Sequence, residues 1–256
     1  MLLTVDIGNS HIVLGGFEGE ELAFSARMVT QTYRTDDQYA VEINQIMGLY
    51  RVDPGRIDGI IISSVVPELT SPFRRALRKV TNITPLVLGP GVKTGLNILI
   101  DDPGQLGPDL VAAAVAAVAL YPSPCLIYDL GTAITISVVD QKSNFTGCVI
   151  CAGTRLMLDA LTSHTALLPH VGIEEPPSVI GKNSAVSMQS GLVYGTASML
   201  DGLADRIERE IGAPATLIAT GGLARSIVPH CTHKFIIQDN LLLEGLRRIY
   251  EKNVKN

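Results

Sequence analysis

Two short stretches place an aspartate two residues before a glycine at the end of an apolar run. Asp6-Ile7-Gly8-Asn9-Ser10 follows Leu2-Leu3-Thr4-Val5, and Asp129-Leu130-Gly131-Thr132-Ala133 follows Cys125-Leu126-Ile127-Tyr128, 123 positions later. A carboxylate at the end of a buried strand can hold a cation, while turn N–H groups and hydroxyls such as Ser10 and Thr132 cup phosphate oxygens. Glycine lets the backbone approach an anion that a side chain would keep away. One Asp-x-Gly turn marks an ordinary hairpin. Two in matching positions of the two half-chains point to facing phosphate turns, with one carboxylate from each side.

A third stretch, Leu217-Ile218-Ala219-Thr220-Gly221-Gly222-Leu223-Ala224, reads as a buried strand, a diglycine turn and the start of a helix. A turn without side chains admits a flat ligand such as adenine or its ribose. A fourth, Gly107-Pro108-Asp109, opens a run from Leu110 to Leu120 made only of Ala, Val and Leu, so Asp109 is its single charge. The Gly-Pro pair suits a helix start, and an acid in the first turn meets the positive end of the helix dipole. The same placement presents a carboxylate to a cleft, where it would serve as a general base.

The segments between must build the scaffold. Each Asp-x-Gly turn joins two strand patterns. Residues 35–50 and 68–80 carry helical periodicity, 57–67 read as a buried strand and 85–91 as a short one. In the second half, 154–169, 184–211 and 240–252 read as helices and 215–220 as a buried strand. The echo at half the chain length predicts two related α/β domains, 1–121 and 122–256, divided near Tyr121-Pro122-Ser123-Pro124.

Bulk composition agrees with an enzyme-sized globular chain. The 256 residues suit one large domain or two of about 120. With 46% hydrophobic residues, 5% aromatic and no Trp, the core is built of Ala, Val, Ile and Leu. Twenty basic and 25 acidic residues are interspersed and the net charge is −5, which argues against nucleic acid or a membrane surface as partner. The opening Met-Leu-Leu-Thr-Val-Asp has no cationic leader, and the longest apolar run, Leu110–Tyr121, is too short to span a bilayer. Four cysteines, at 125, 148, 151 and 231, form no disulfide framework and suit a cytoplasmic protein. Cys148-x-x-Cys151 reads as buried thiols in an apolar strand, the histidines at 164, 170, 230 and 233 as loop or surface residues, and Arg74, Arg75, Arg78 and Lys79 as a solvated helix face.

The three nucleotide-type turns, in this order, resemble those of the acetate kinase, sugar kinase and actin superfamily. More narrowly, the chain resembles the type III pantothenate kinases. The segments 95–111, 181–195 and 241–253 are similar to that family's substrate-binding and later signature stretches. The resemblance implies two actin-like (ribonuclease H-like) domains, each a mixed five-stranded sheet flanked by helices, with an interdomain cleft. It implies phosphorylation of pantothenate by ATP and Mg²⁺, opening coenzyme A synthesis, in a homodimer joined through helices of residues 155–211. Asp6, Ile7, Gly8, Asn9, Ser10, His11, Ile12 and Val13, with Thr132, Gly221 and Gly222, match the nucleotide site. Asp129 matches the position holding a monovalent cation, K⁺ or NH₄⁺. Asp109 matches the catalytic base, and Ile100, Gly107, Pro108, Leu110 and Ser184 match the substrate pocket.

The chain departs from the family at several of these positions. Leu110 stands where the family usually has arginine, Ile100 where it has tyrosine, Ser184 where it has threonine and Ala152 where it has proline. Arginine is the natural fork for a carboxylate such as that of pantothenate. Leu110 and Ile100 therefore keep two alternatives open: a catalytically impaired nucleotide-binding regulator, or a kinase for another small hydroxyl substrate.

Overall fold

Leu3, Val5 and Ile7 alternate with Thr4 and Asp6 along strand β1 (Leu2–Ile7), so one face is apolar and the other carries a carboxylate. β1 pairs antiparallel with β2 (His11–Glu18), which pairs antiparallel with β3 (Glu21–Val29). Helix α1 (Asp36–Leu49) returns the chain to β4 (Gly59–Ser64), parallel to β1. Helix α2 (Pro67–Thr81) then leads to β5 (Leu86–Val87). Tyr39, Ile43 and Met47 of α1, with Leu69, Phe73 and Leu77 of α2, recur at helical spacing and cover the Leu3/Val5/Ile7 face.

The computed structural model describes residues 1–254. After β6 (Asn97–Ile98) and helix α3 (Pro108–Leu120) come β7 (Cys125–Leu130), β8 (Ala133–Val139) and β9 (Asn144–Ala152). Helices α4 (Thr154–His164) and α5 (Ser184–Ile211) precede β10 (Thr216–Thr220), which is parallel to β7. Helix α6 (Ala224–Ile227), β11 (Ile236–Ile237) and helix α7 (Leu241–Val254) follow. Leu126, Tyr128 and Leu130 of β7 pack under Val193, Ala197 and Leu200 of α5. Asp129 therefore lies on the opposite face of its sheet, as Asp6 does on its own.

One sheet runs β3-β2-β1-β4-β5 and the other β11-β10-β7-β8-β9-β6. Without β6, the second order is the first displaced by six strands. The five-residue echo is thus the visible part of a repeated sheet topology.

The chain packs as two units. The first holds Met1–Leu96, Asp101–Ala116 and α7; the second holds Asn97–Ile100 and Ala117–Asn240. Two features differ from a five-stranded pair divided once at 121/122. The second sheet has six strands, because β6 joins β9: Asn97 Nδ2 donates to Asn144 Oδ1 at 2.8 Å and Leu99 N–H to the Phe145 carbonyl at 2.8 Å. And α7 belongs to the first unit, because Leu246 and Ile249 are buried with Ile61, Leu88 and Ala112, while Leu243 is buried with Leu2 and Phe17. Arg247 on the same helix is 2% exposed and lies between Glu244 and Glu251, its guanidinium 5.8 Å from the Phe17 ring centre.

Cys148 is exposed and Cys151 half-buried, so they are not a pair of buried thiols. Positions three apart on a strand face opposite sides, and the outward side of β9 lies open. Among the described residues no helix is long and apolar enough to cross a membrane.

Candidate active site

The first turn, Gly8-Asn9-Ser10, joins β1 to β2. Gly8 N–H donates to the His11 carbonyl at 3.0 Å. Ile7 and Ile12, paired across the hairpin, are fully buried, so these two positions offer only backbone to a ligand. Asn9, Ser10 and His11 are exposed, Val13 is half-buried against Leu2 and Phe17, and Asp6 is half-buried. Residues beyond the local motif hold the turn. Thr30, just past β3, donates its N–H to the Ser10 carbonyl at 3.1 Å and its hydroxyl to the Gly8 carbonyl at 2.6 Å.

The second turn and the diglycine turn come together in the second unit, because β10 runs beside β7 with Thr220 level with Asp129. Gly221 adopts φ +92, which favours glycine. A Cβ there would overlap an Asp129 carboxylate oxygen and lie 2.6 Å from the Leu130 nitrogen. Leu223 N–H reaches the Leu130 carbonyl at 3.3 Å, stitching the two turns. Gly153, between β9 and α4, donates to the Thr132 carbonyl at 3.2 Å, and a Cβ on it would overlap the carbonyl oxygens of Thr132 and Gly131. Thr132 and Gly222 are exposed.

Each carboxylate has a hydroxyl on the neighbouring strand. Ser63 of β4 is level with Asp6, and Thr135 of β8 is level with Asp129. The Oγ of Ser63 and the Oγ1 of Thr135 are buried with no hydrogen-bond partner among the described residues. Such groups are costly unless something satisfies them. A carboxylate beside neutral oxygens is the donor set of a hard cation. Among the described residues no cluster of three His, Cys, Asp or Glu side chains could hold a metal ion. A cation at Asp129 would therefore rest on one carboxylate and neutral oxygens.

Asp109 occupies the first turn of α3, directly after Pro108. The turn before it is pre-formed: Asp102 accepts from the Gly104 N–H at 3.0 Å and from the Gln105 amide at 2.9 Å. Asp109 Oδ1 accepts from the Leu110 N–H at 2.9 Å, and Val111 N–H reaches the Gly107 carbonyl at 3.2 Å. Burial pushes the Asp109 carboxyl above its ordinary value, and the backbone N–H bonds offset this in part. A carboxylate destabilised in this way is a stronger proton acceptor. Leu106 to Leu110 are all half-buried.

Gly107, Pro108, Asp109 and Leu110 belong to the first unit, Ile100 and Ser184 to the second. Ser184 is exposed at the first position of α5, just after Asn183, whose side chain caps the helix by accepting from Val186 N–H at 3.0 Å. It lines an open cavity of about 670 Å³ whose wall includes Met157, Leu161, Leu168 and Met188 and whose rim includes Lys182.

Sequence reasoning missed Thr30, Gly153, Ser63 and Thr135. None sits in a recognisable turn motif, and each reaches the site only through strand pairing.

The repeated sheet order matches known folds over essentially the whole chain. A candidate 2-dehydro-3-deoxygalactonokinase from Sinorhizobium meliloti gives a TM-score of 0.62 at 13% identity, covering 100% of this chain and 98% of that one. The activator of 2-hydroxyisocaproyl-CoA dehydratase from Clostridium difficile, solved with bound ADPNP, gives 0.55 at 14% identity, covering 100% and 98%. At such identities these likenesses establish the fold alone: two actin-like α/β domains. Sequence comparison goes further. A family model for type III pantothenate kinase matches residues 2–206. A type III pantothenate kinase of an Exiguobacterium species is 41% identical over 255 residues, covering 100% of both chains. One from Myxococcus xanthus is 40% identical over 253 residues, covering 99% of both. The chain belongs to the type III pantothenate kinase family.

Proposed function

We propose that this chain transfers the γ-phosphoryl group of ATP to the primary hydroxyl of pantothenate, the first step of coenzyme A synthesis. The observation that carries the reading is a half-buried Asp109 with a raised carboxyl pKa at a helix start, in a chain with three glycine turns suited to phosphate and nucleoside. Asp109 takes the proton of the attacking hydroxyl as the new P–O bond forms and the bond to the β,γ-bridging oxygen breaks. The turns at Gly8 and Gly131 hold the phosphates through backbone N–H groups, and Gly221-Gly222 leaves room for the nucleoside. Asp129 with the Thr135 hydroxyl supplies the oxygens for K⁺ or NH₄⁺. Mg²⁺ arriving with ATP neutralises phosphate charge.

The same reading puts the enzyme in the cytoplasm as a homodimer. The exposed Leu156 and Leu161 of α4, with the nearby exposed Leu167 and Ile180, support an interface there. Asp109→Asn keeps the shape and removes the base. It is expected to lower kcat about 10²–10⁴-fold while nucleotide affinity stays within about twofold, read by coupled assay and calorimetry. Normal turnover by the variant would reduce Asp109 to a helix-start acid. A parent protein that binds ATP but neither binds nor phosphorylates pantothenate would favour another acceptor or a regulatory role, and Leu110 would then be the first residue to examine.

A further inference from the structure

We infer that Thr30 is a positioning residue that aims the phosphate-binding turn between β1 and β2. The inference rests on reading that turn as a nucleotide site. Thr30 holds two carbonyls of the turn at once, Gly8 through its hydroxyl at 2.6 Å and Ser10 through its N–H at 3.1 Å. A peptide unit is planar and trans, so the N–H of the next residue points opposite to each carbonyl. With the Gly8 and Ser10 carbonyls tied to Thr30, the Asn9 and His11 N–H groups must both be directed away from it. Thr30 thus sets the direction in which the turn presents its amide dipoles, the property on which anion cupping depends.

Thr30 is itself anchored. Gln31 N–H donates to the Tyr39 hydroxyl at 3.2 Å, and that hydroxyl donates back to the Gln31 carbonyl at 2.8 Å. Tyr39 is fully buried on α1, edge-on to Phe73 at 5.1 Å between ring centres. A continuous line runs from the core of the first unit through Tyr39, Gln31 and Thr30 to the turn. Pre-organised donors of this kind cost nothing to orient when the ligand arrives.

Thr30→Val keeps the shape and the backbone bond to Ser10 but removes the hydroxyl; Thr30→Ser keeps the hydroxyl. Thr30→Val is expected to raise the KM for ATP, and the Kd of a non-hydrolysable ATP analogue, about tenfold. Thr30→Ser should stay within about twofold of the parent, and the KM for pantothenate should be unchanged in both. Tyr39→Phe should weaken analogue binding in the same direction, and its effect should not add to that of Thr30→Val. Unchanged analogue affinity in Thr30→Val, or a lowered Tm with affinity intact, would overturn the proposal. So would a Thr30→Ser defect as large as that of Thr30→Val. Failure of the parent itself to bind the analogue would instead overturn the nucleotide reading beneath it.

Discussion

In the first turn four residues, Gly8 to His11, separate the paired Ile7 and Ile12; in the second, three residues, Gly131 to Ala133, separate Leu130 and Ile134. Both turns end a strand whose penultimate residue is aspartate, and each carboxylate lies on the sheet face opposite the one covered by α1 and α2 in the first unit and by α5 in the second. They differ in what holds them. The longer turn is tied by one residue, Thr30, through its hydroxyl and its N–H, bonds that can lengthen or break individually. The shorter one is enclosed by backbone, with Gly153 and Gly221 so near that neither has room for a Cβ. The same five-residue motif therefore yields one adjustable turn and one fixed turn. The fixed one carries Asp129, the aspartate proposed to hold the cation, where a few tenths of an ångström would alter coordination.

The largest expected effect comes from filling the glycine spaces. Gly221→Ala combines a positive φ with overlap on Asp129 and Leu130, and should destabilise the protein by about 3 kcal/mol. Gly153→Ala should cost a similar amount through the Thr132 carbonyl. Gly8→Ala meets only the His11 carbonyl at 3.1 Å and should cost under about 1 kcal/mol. Urea unfolding of the three variants measures the contrast. Equal losses would erase the distinction between the turns.

An intermediate effect separates the two carboxylates. Asp129→Asn should abolish stimulation by K⁺ and lower activity about tenfold or more, whereas Asp6→Asn should lower ATP use with the K⁺ response retained. Titrating each variant with KCl against NaCl decides the matter. Retained K⁺ response in Asp129→Asn would move the cation elsewhere.

The smallest effect on stability concerns Asp109, which lies on neither turn and serves as a reference. Its carboxyl pKa is raised in the fold by burial, so folding favours the protonated form more than the unfolded chain does. The stability it contributes is full below the ordinary carboxylate value and is lost as pH rises through the raised folded value. Asp109→Asn lacks this loss. Its Tm relative to the parent should therefore rise as pH climbs past the ordinary carboxylate value and level off once pH exceeds the raised folded value. The parent's kcat/KM should show an acid limb above the ordinary carboxylate value. A Tm difference independent of pH would contradict the burial of that carboxyl.

Much of the site is local and so legible in sequence. Asp6-Ile7-Gly8, Asp129-Leu130-Gly131 and Thr220-Gly221-Gly222 each declare a strand end and a turn, and Gly107-Pro108-Asp109 declares a helix start. The alternation of Leu3, Val5 and Ile7 also foretells that Ile7 can offer only backbone. What sequence hides is whatever strand pairing brings near. Thr30 lies 22 residues from Gly8 and meets it only because β3 folds back along β2. Gly153 reaches Thr132 after two strands have turned back, and no nearby residue marks it. The same limit hid β6, whose two paired residues are too few to show a period, and the unit to which α7 belongs.

That last helix has a consequence for the order in which the protein takes shape. The first sheet needs Leu243, Leu246 and Ile249 to cover Leu2, Phe17 and Ile61, so the face opposite α1 and α2 stays uncovered until residues 243–249 have been made. The second unit needs nothing beyond Asn240. Domains ordinarily fold as they emerge, the N-terminal one first. In this chain the half that is made later is the half that can finish first.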